Sequence, residues 1–229
     1  MRTRALVAAI LPATSAILLA LLVARVVSTL GWRMEHDTPL LHYVAFLIVE
    51  HDRAPYRDVF ETSMPGTMAF HCLIGWAFGF GDLAFRLVDI AVLGGIWAGT
   101  FVFLRRFGLP AALLGPTVFG LLYLEYGPHM SLQRDYLGVA CLAATLAVLP
   151  AAGERLSASR AIVVGIAFGL AASIKPHLVM GLPVILALYA GPASERPALR
   201  DLGTITACAG LGLALPIAIL LGWVAAEGG

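Results

Sequence analysis

The sequence predicts an all-α, polytopic integral membrane protein, and three observations carry that prediction. Hydrophobic residues make up 60% of the 229 and charged residues only 13%. Mean hydropathy is +0.89. The apolar residues also fall in runs close to the roughly 20 that a helix needs to cross a bilayer. So little polar cover excludes a water-facing surface all round. A net charge of +1, spread over scattered arginines, excludes nucleic acid as a partner. Cys72, Cys141 and Cys208 stand apart in apolar stretches, without the paired spacing of a disulfide framework or zinc site, and read as buried thiols.

The first run, Ala5 to Leu30, follows two arginines, Arg2 and Arg4. That start imitates a secretory signal, but the apolar core is too long for one and more spans follow, so it reads as an uncleaved first transmembrane helix. Arg25, near its outer end, snorkels. Further spans are Ala84 to Leu104, Leu109 to Tyr126, Tyr136 to Ala152, Ala161 to Ile174, His177 to Ala190 and Leu202 to Ala225, about seven crossings in all. The two that flank Lys175 are short and must tilt, borrow flanking residues or break. Arg86 and Asp89, three apart on one helical face, read as a buried pair. Gly165 and Gly169 have the spacing of close helix packing.

Orientation follows from arginine positions. With the N-terminus cytoplasmic, Arg2 with Arg4, Arg105 with Arg106, Arg155 with Arg160, and Arg196 with Arg200 all lie inside. The loop Gly31 to Gly66, the turn Tyr126 to Asp135 and the corner Lys175-Pro176-His177 then lie outside. This solution requires Thr67 to Phe80 to dip into the membrane or lie at its surface without a net crossing. A full crossing there would reverse everything after it.

The Gly31 to Gly66 loop is the longest polar interval. Within it, Thr38 to Val49 is apolar at Leu40, Leu41, Val44, Phe46, Leu47 and Ile48, too short to cross, and suits a helix on the membrane surface. Asp37 stands at its N-cap with Pro39 in the first turn, so its carboxylate is expected to accept free backbone amides. Pro55 and Pro65 then favour turns and extended chain around Arg57, Asp58 and Glu61. His42, His51 and His71 read as hydrogen-bonded packing residues.

Taken in order, Glu35-His36-Asp37, the surface helix, APYRDVFETSMPG, an apolar segment, FGDLAFRL, HMSLQRDYL and LAASIKPHL resemble the N-terminal half of the GT-C glycosyltransferases. The pattern is most similar to the protein-mannosyltransferase and RgtA/B/C/D-like group, and it covers roughly Gly31 to Leu178. The resemblance implies a GT-C-like fold and transfer of a sugar from a polyprenyl-phosphate donor to a lipid, glycan or protein acceptor on the outer face. It makes Asp37 the general base, with Glu35 the other candidate acid. Ser63-Met64-Pro65 departs from the double proline of many relatives, and relatives run to more spans, so the chain reads as a single transmembrane domain from the N-terminal part of a longer module.

That chemistry needs a base at the acceptor hydroxyl and positive charge at the departing phosphate. Arg57, Arg134, Lys175 and His177 are the candidates for the phosphate side, arginine through paired hydrogen bonds. Arg57 and Arg134 have a second reading, as arginines snorkelling to membrane lipid headgroups. Glu61 and Asp135 would orient the acceptor, help hold a divalent cation or form local salt bridges, Asp135 with Arg134 for instance. Glu35, His36 and Asp37 carry ligand atoms, but successive residues rarely converge on one ion, and metal dependence stays open. No phosphate-cradling glycine loop is present, which argues against direct use of a nucleotide sugar. Other classes that fit the composition are a secondary transporter with broken spans around Lys175 and a non-catalytic membrane scaffold.

Overall fold

The computed structural model describes residues 2–150, 154–189 and 199–228, and these form an all-α bundle with no strand among them. Arg196 and the expected span ends at Ala152 and Ala190 lie outside the described residues. Nine helices are described: α1 (Arg2–Ser28), α2 (Thr38–His51), α3 (Pro65–Phe78), α4 (Asp82–Leu104), α5 (Leu109–Glu125), α6 (Arg134–Val148), α7 (Ala158–Ile174), α8 (Gly181–Leu188) and α9 (Leu199–Ala226).

Three segments have the length and hydropathy to cross a membrane: Ile10–Ser28, Asp82–Phe107 and Asp201–Ala226. Leu109–Glu125, Ala158–Ile174 and Pro176–Leu188 are apolar but shorter. The last is divided: a 3-10 turn occupies Pro176–Met180 and α8 only Gly181–Leu188. Proline at the first position of that turn, with no N–H to donate, sets the break after α7.

The helices pack in the order α1, α5, α4, α6, α7, α9, with α8 beside the end of α7 and the α2–α3 pair laid across one end. The α7–α9 seam is the closest. A side chain at Gly165 or Gly169 would run into the backbone of Ala209 or Leu213, and one at Gly212 into Ile162, so only glycine lets the two backbones meet.

Charge sorts to the two ends. At one, Arg106 donates to the carbonyls of Pro150 (2.7 Å) and Leu149 (3.2 Å), and Arg155 pairs with Asp201 (3.1 Å). At the other lie the C-termini of α1, α5, α7 and α9 and the N-termini of α4 and α6. Both flanks of α3 also belong to this second end. Gly66 backs onto Ser173 at the close of α7, and Asp82, just beyond α3, accepts the Met34 N–H at 3.1 Å.

A buried polar network braces the second end. Arg86 and Asp89, 1% and 0% exposed, pair with each other. Arg86 also donates to the Thr29 carbonyl at 3.1 Å and stacks over Trp32, its guanidinium 4.6 Å from the ring centre. Asp89 accepts the Tyr123 hydroxyl and the Leu132 N–H (3.2 Å). Leu132 adopts φ +48°, unusual for a branched side chain, and that turn aims its N–H at the carboxylate. One charge pair thus ties the end of α1, the start of α4 and the 127–133 turn together.

Candidate functional site

The site is built from the α1–α2 connection, the α2–α3 connection, the start of α6 and the corner after α7. Residue His36 takes φ +60° and turns the chain into α2. Asp37 does occupy the N-cap of α2, but its side chain makes no capping bond. The expected cap is therefore corrected: its carboxylate faces Arg134, whose Nη2 is 3.4 Å away, and the His36 ring nitrogen at 3.2 Å. An arginine offers a stronger, charge-assisted partner than a helix amide. Proline at the second helical position also removes one donor the cap would have served. Glu35 is exposed on the same connection.

Arg134 is held from the other side by Ser63, to whose hydroxyl its Nη1 donates at 3.2 Å. Ser63 in turn donates its hydroxyl and its N–H to one Glu61 oxygen, at 2.8 and 2.9 Å, and its carbonyl accepts the Tyr56 hydroxyl at 2.7 Å. A continuous chain, Glu61–Ser63–Arg134–Asp37, results. Sequence reasoning gave Ser63 no role. A serine two residues after an acid, in a proline-bounded turn, is the local signal that would have marked it.

Asp135, the next residue along α6, forms a salt bridge with Lys175; the partner offered as an example from sequence, Arg134, turns to Asp37 instead. Lys175 closes α7 with an extended backbone, which swings its ammonium back toward the start of α6. Its own neighbour His177 is exposed on the 3-10 turn. Two acid–base pairs, Asp37–Arg134 and Asp135–Lys175, are thus anchored at consecutive positions at the start of α6.

Arg57 is not part of this group. Asp58 grips its guanidinium through two bonds, 2.9 and 3.0 Å, and its remaining Nη1 reaches the Gly228 carbonyl at 3.3 Å, beyond α9. That grip and the Ala54 N–H hold the Asp58 carboxyl at about 2, well under its ordinary value. Burial and the nearby Glu61 push the Tyr56 phenol up.

Below these residues, two apolar hollows flank the segment 175–180. The larger, about 470 Å³, runs between α4, α6, α7 and α8, with Val139, Leu142 and Leu178 at its walls. The smaller, about 330 Å³, lies between Met64-Pro65, Ser173, Pro176 and the α9 residues Leu213 and Ile217. Behind the site, His42 and His71 meet across α2 and α3 with their Nδ1 atoms 3.4 Å apart, among Phe80 and Phe85. Burial holds His42 below its ordinary pKa, with Asp82 partly opposing. Among the described residues no group of three or more His, Cys, Asp and Glu side chains is set to hold a metal ion.

No family model matches the chain, and neither does any curated protein or solved structure.

Proposed function

We propose that the chain is a membrane glycosyltransferase that moves a sugar from a polyprenyl-phosphate donor to an acceptor on the extracytoplasmic face. In this reading it crosses the membrane about seven times, with its N-terminus cytoplasmic and α2 and α3 at the outer surface. Support for that orientation comes from Arg105, Arg106 and Arg155 sharing one end, as cytoplasmic arginines do. The observation that carries the chemical reading is the pairing of two carboxylates with two cations, Asp37–Arg134 and Asp135–Lys175, at the start of α6, the helix that walls an apolar hollow from Val139 onward.

The reaction such a group supports is a single displacement. The acceptor hydroxyl oxygen attacks the anomeric carbon, and the bond from that carbon to the donor phosphate breaks with its electron pair leaving on the phosphate oxygen. The hydroxyl proton passes to Asp37, with Glu35 the neighbouring acid. Lys175 and Arg134 stabilise the charge on the departing polyprenyl phosphate, exchanging their carboxylate partners for phosphate oxygens. His177, exposed beside Lys175, supplies a further donor, whereas Arg57 belongs to the loop scaffold and membrane surface. Glu61 acts through Ser63 to hold Arg134. The polyprenyl chain runs down the larger hollow, whose wall rises to Lys175 through Leu178.

The test is transfer of labelled sugar from polyprenyl phosphate to envelope acceptors by the purified chain in proteoliposomes. Transfer that disappears in Asp37→Asn supports the reading. Solute uptake without transfer overturns it in favour of a transporter.

A further inference from the structure

We infer that Thr38 and Gln133 are positioning residues for the base: their hydrogen bond clamps the start of α2 to the start of α6 and holds Asp37 in place while Arg134 exchanges it for the donor phosphate. This rests on the transferase reading and adds to it what keeps the base in register during the displacement.

An exchange of caps between two helix starts carries the inference. Asp37 is the N-cap of α2 and Gln133 the N-cap of α6, and neither side chain bonds to the amides of its own helix as a cap ordinarily does. Each reaches instead to the first residue of the other helix. Asp37 accepts from Arg134 at 3.4 Å, and Gln133 donates through Nε2 to the Thr38 hydroxyl at 3.2 Å. Thr38 passes the contact on by donating that hydroxyl to the Ser131 carbonyl at 3.0 Å. One hydroxyl thus acts as donor and acceptor at once, which a methyl group in its place cannot do.

The two limbs of the clamp differ in environment, and the difference assigns their roles. The side chains of Asp37 and Arg134 are 44% and 35% exposed, so water and salt screen the pair and its partners exchange readily. Thr38 and Ser131 are 0% and 2% exposed, where a broken hydrogen bond leaves groups that no water can satisfy. This buried limb is also fastened to the interior network: Arg86 Nη1 lies 3.5 Å from the Ser131 hydroxyl, and the Leu132 N–H bonds to Asp89. In the proposed displacement Arg134 turns from carboxylate to phosphate oxygens, which releases Asp37 from its cation. The Thr38–Gln133 bond takes no part in that exchange. It joins the residue after Asp37 to the residue before Arg134, so the base stays at the site while its ion pair opens.

The full chain in nanodiscs gives two readouts. The first is amide hydrogen exchange, which needs no turnover. The Leu41 N–H bonds to the Asp37 carbonyl at 3.1 Å and the Leu137 N–H to the Gln133 carbonyl at 3.0 Å, so they report on the two helix starts separately. Thr38→Val keeps the side-chain shape without the hydroxyl, and is expected to speed exchange at both amides at least about five-fold, with Thr38→Ser within about two-fold of the parent. Gln133→Met spares the Thr38–Ser131 bond and should loosen the same two amides. The second readout is sugar transfer. Both Thr38→Val and Gln133→Met are expected to lower kcat per folded chain on the order of 10–100-fold with the KM for donor unchanged, and Thr38→Ser to restore it. Faster exchange confined to the helix that carries the substitution overturns the inference, as does transfer by Thr38→Val at the parent's rate. A parent chain that transfers nothing refutes the transferase reading, and the positioning role with it, while exchange still reports whether the clamp exists.

Discussion

Replacing Arg86 by methionine isolates what holds the site's platform together. Arg86 and Asp89 are 1% and 0% exposed, so the substitution leaves a carboxylate buried without its cation. Asp89 would keep the Tyr123 hydroxyl and the Leu132 N–H, two donors that soften the loss without supplying charge. Removing one partner of a buried ion pair costs about 3–5 kcal/mol. For a chain of this size each kcal/mol moves the unfolding midpoint by about 2–4 °C, which gives a fall of roughly 6–20 °C. The assay is thermal unfolding in detergent followed by tryptophan fluorescence, with Trp32 as a local reporter because it stacks on the guanidinium. The double variant Arg86→Met/Asp89→Leu removes both charges and is expected to recover most of the loss. It does not recover all, since Thr29 and Tyr123 each lose a partner. A single variant that unfolds within about 2 °C of the parent would refute the reasoning, as would a double variant less stable than the single.

Other perturbations follow from the same contacts. Gly169→Leu places a side chain against the Leu213 carbonyl and the Pro216 ring, and is expected to cost at least about 1–3 kcal/mol in unfolding measurements by forcing α7 and α9 apart. Burial lowers the His42 pKa in the folded chain, so the unfolded chain binds the extra proton below its ordinary 6.5. Stability from the His42–His71 contact is therefore complete above about pH 6.5 and declines as the pH falls below it, a slope in unfolding temperature that His42→Gln should flatten. Lys175→Met should lower sugar transfer about 100-fold with donor present at saturation, because the cation acts on charge that develops as the phosphate leaves. Ser63→Ala frees one side of Arg134, which acts on the departing phosphate, and should lower kcat more than it changes the KM for acceptor, with Ser63→Thr restoring it.

Much of the architecture is written in local pattern. Hydrophobic run length marks the helices, and the glycine spacing at Gly165 and Gly169 marks the α7–α9 seam because backbone contact excludes any larger residue. Arg86 and Asp89 lie one helical turn apart, so their pairing needs no tertiary knowledge. The misread contacts are those in which a distant residue outcompetes a near one. Asp37 has a helix amide at hand, yet it takes Arg134, 97 positions on. Asp135 has Arg134 beside it in sequence, but consecutive side chains on a helix diverge, and Lys175 arrives from 40 positions away. His42 and His71 each look solitary along the chain, and only the stacking of α2 on α3 brings them together. The run from His177 is too short for a full span and is expected to tilt, borrow flanking residues or break; of these it breaks, into the 3-10 turn Pro176–Met180 and the short α8, since Pro176 prevents α7 from continuing. Ser63 escaped attention because its importance lies in relaying Glu61 to Arg134, a role invisible until α6 is docked beside the loop.

The central claim is that Asp37, Arg134, Asp135 and Lys175 share one compartment on the outer face of the membrane. Single cysteines introduced as Glu35→Cys, Glu61→Cys and His177→Cys, and as Arg106→Cys and Arg160→Cys, test it most directly when intact cells are treated with a membrane-impermeant maleimide and compared with the parent chain. The account predicts reaction from outside at 35, 61 and 177, and at 106 and 160 only after permeabilisation. Reaction of Glu35→Cys from outside with His177→Cys reached only from the cytoplasm would put the two halves of the site on opposite faces and contradict it.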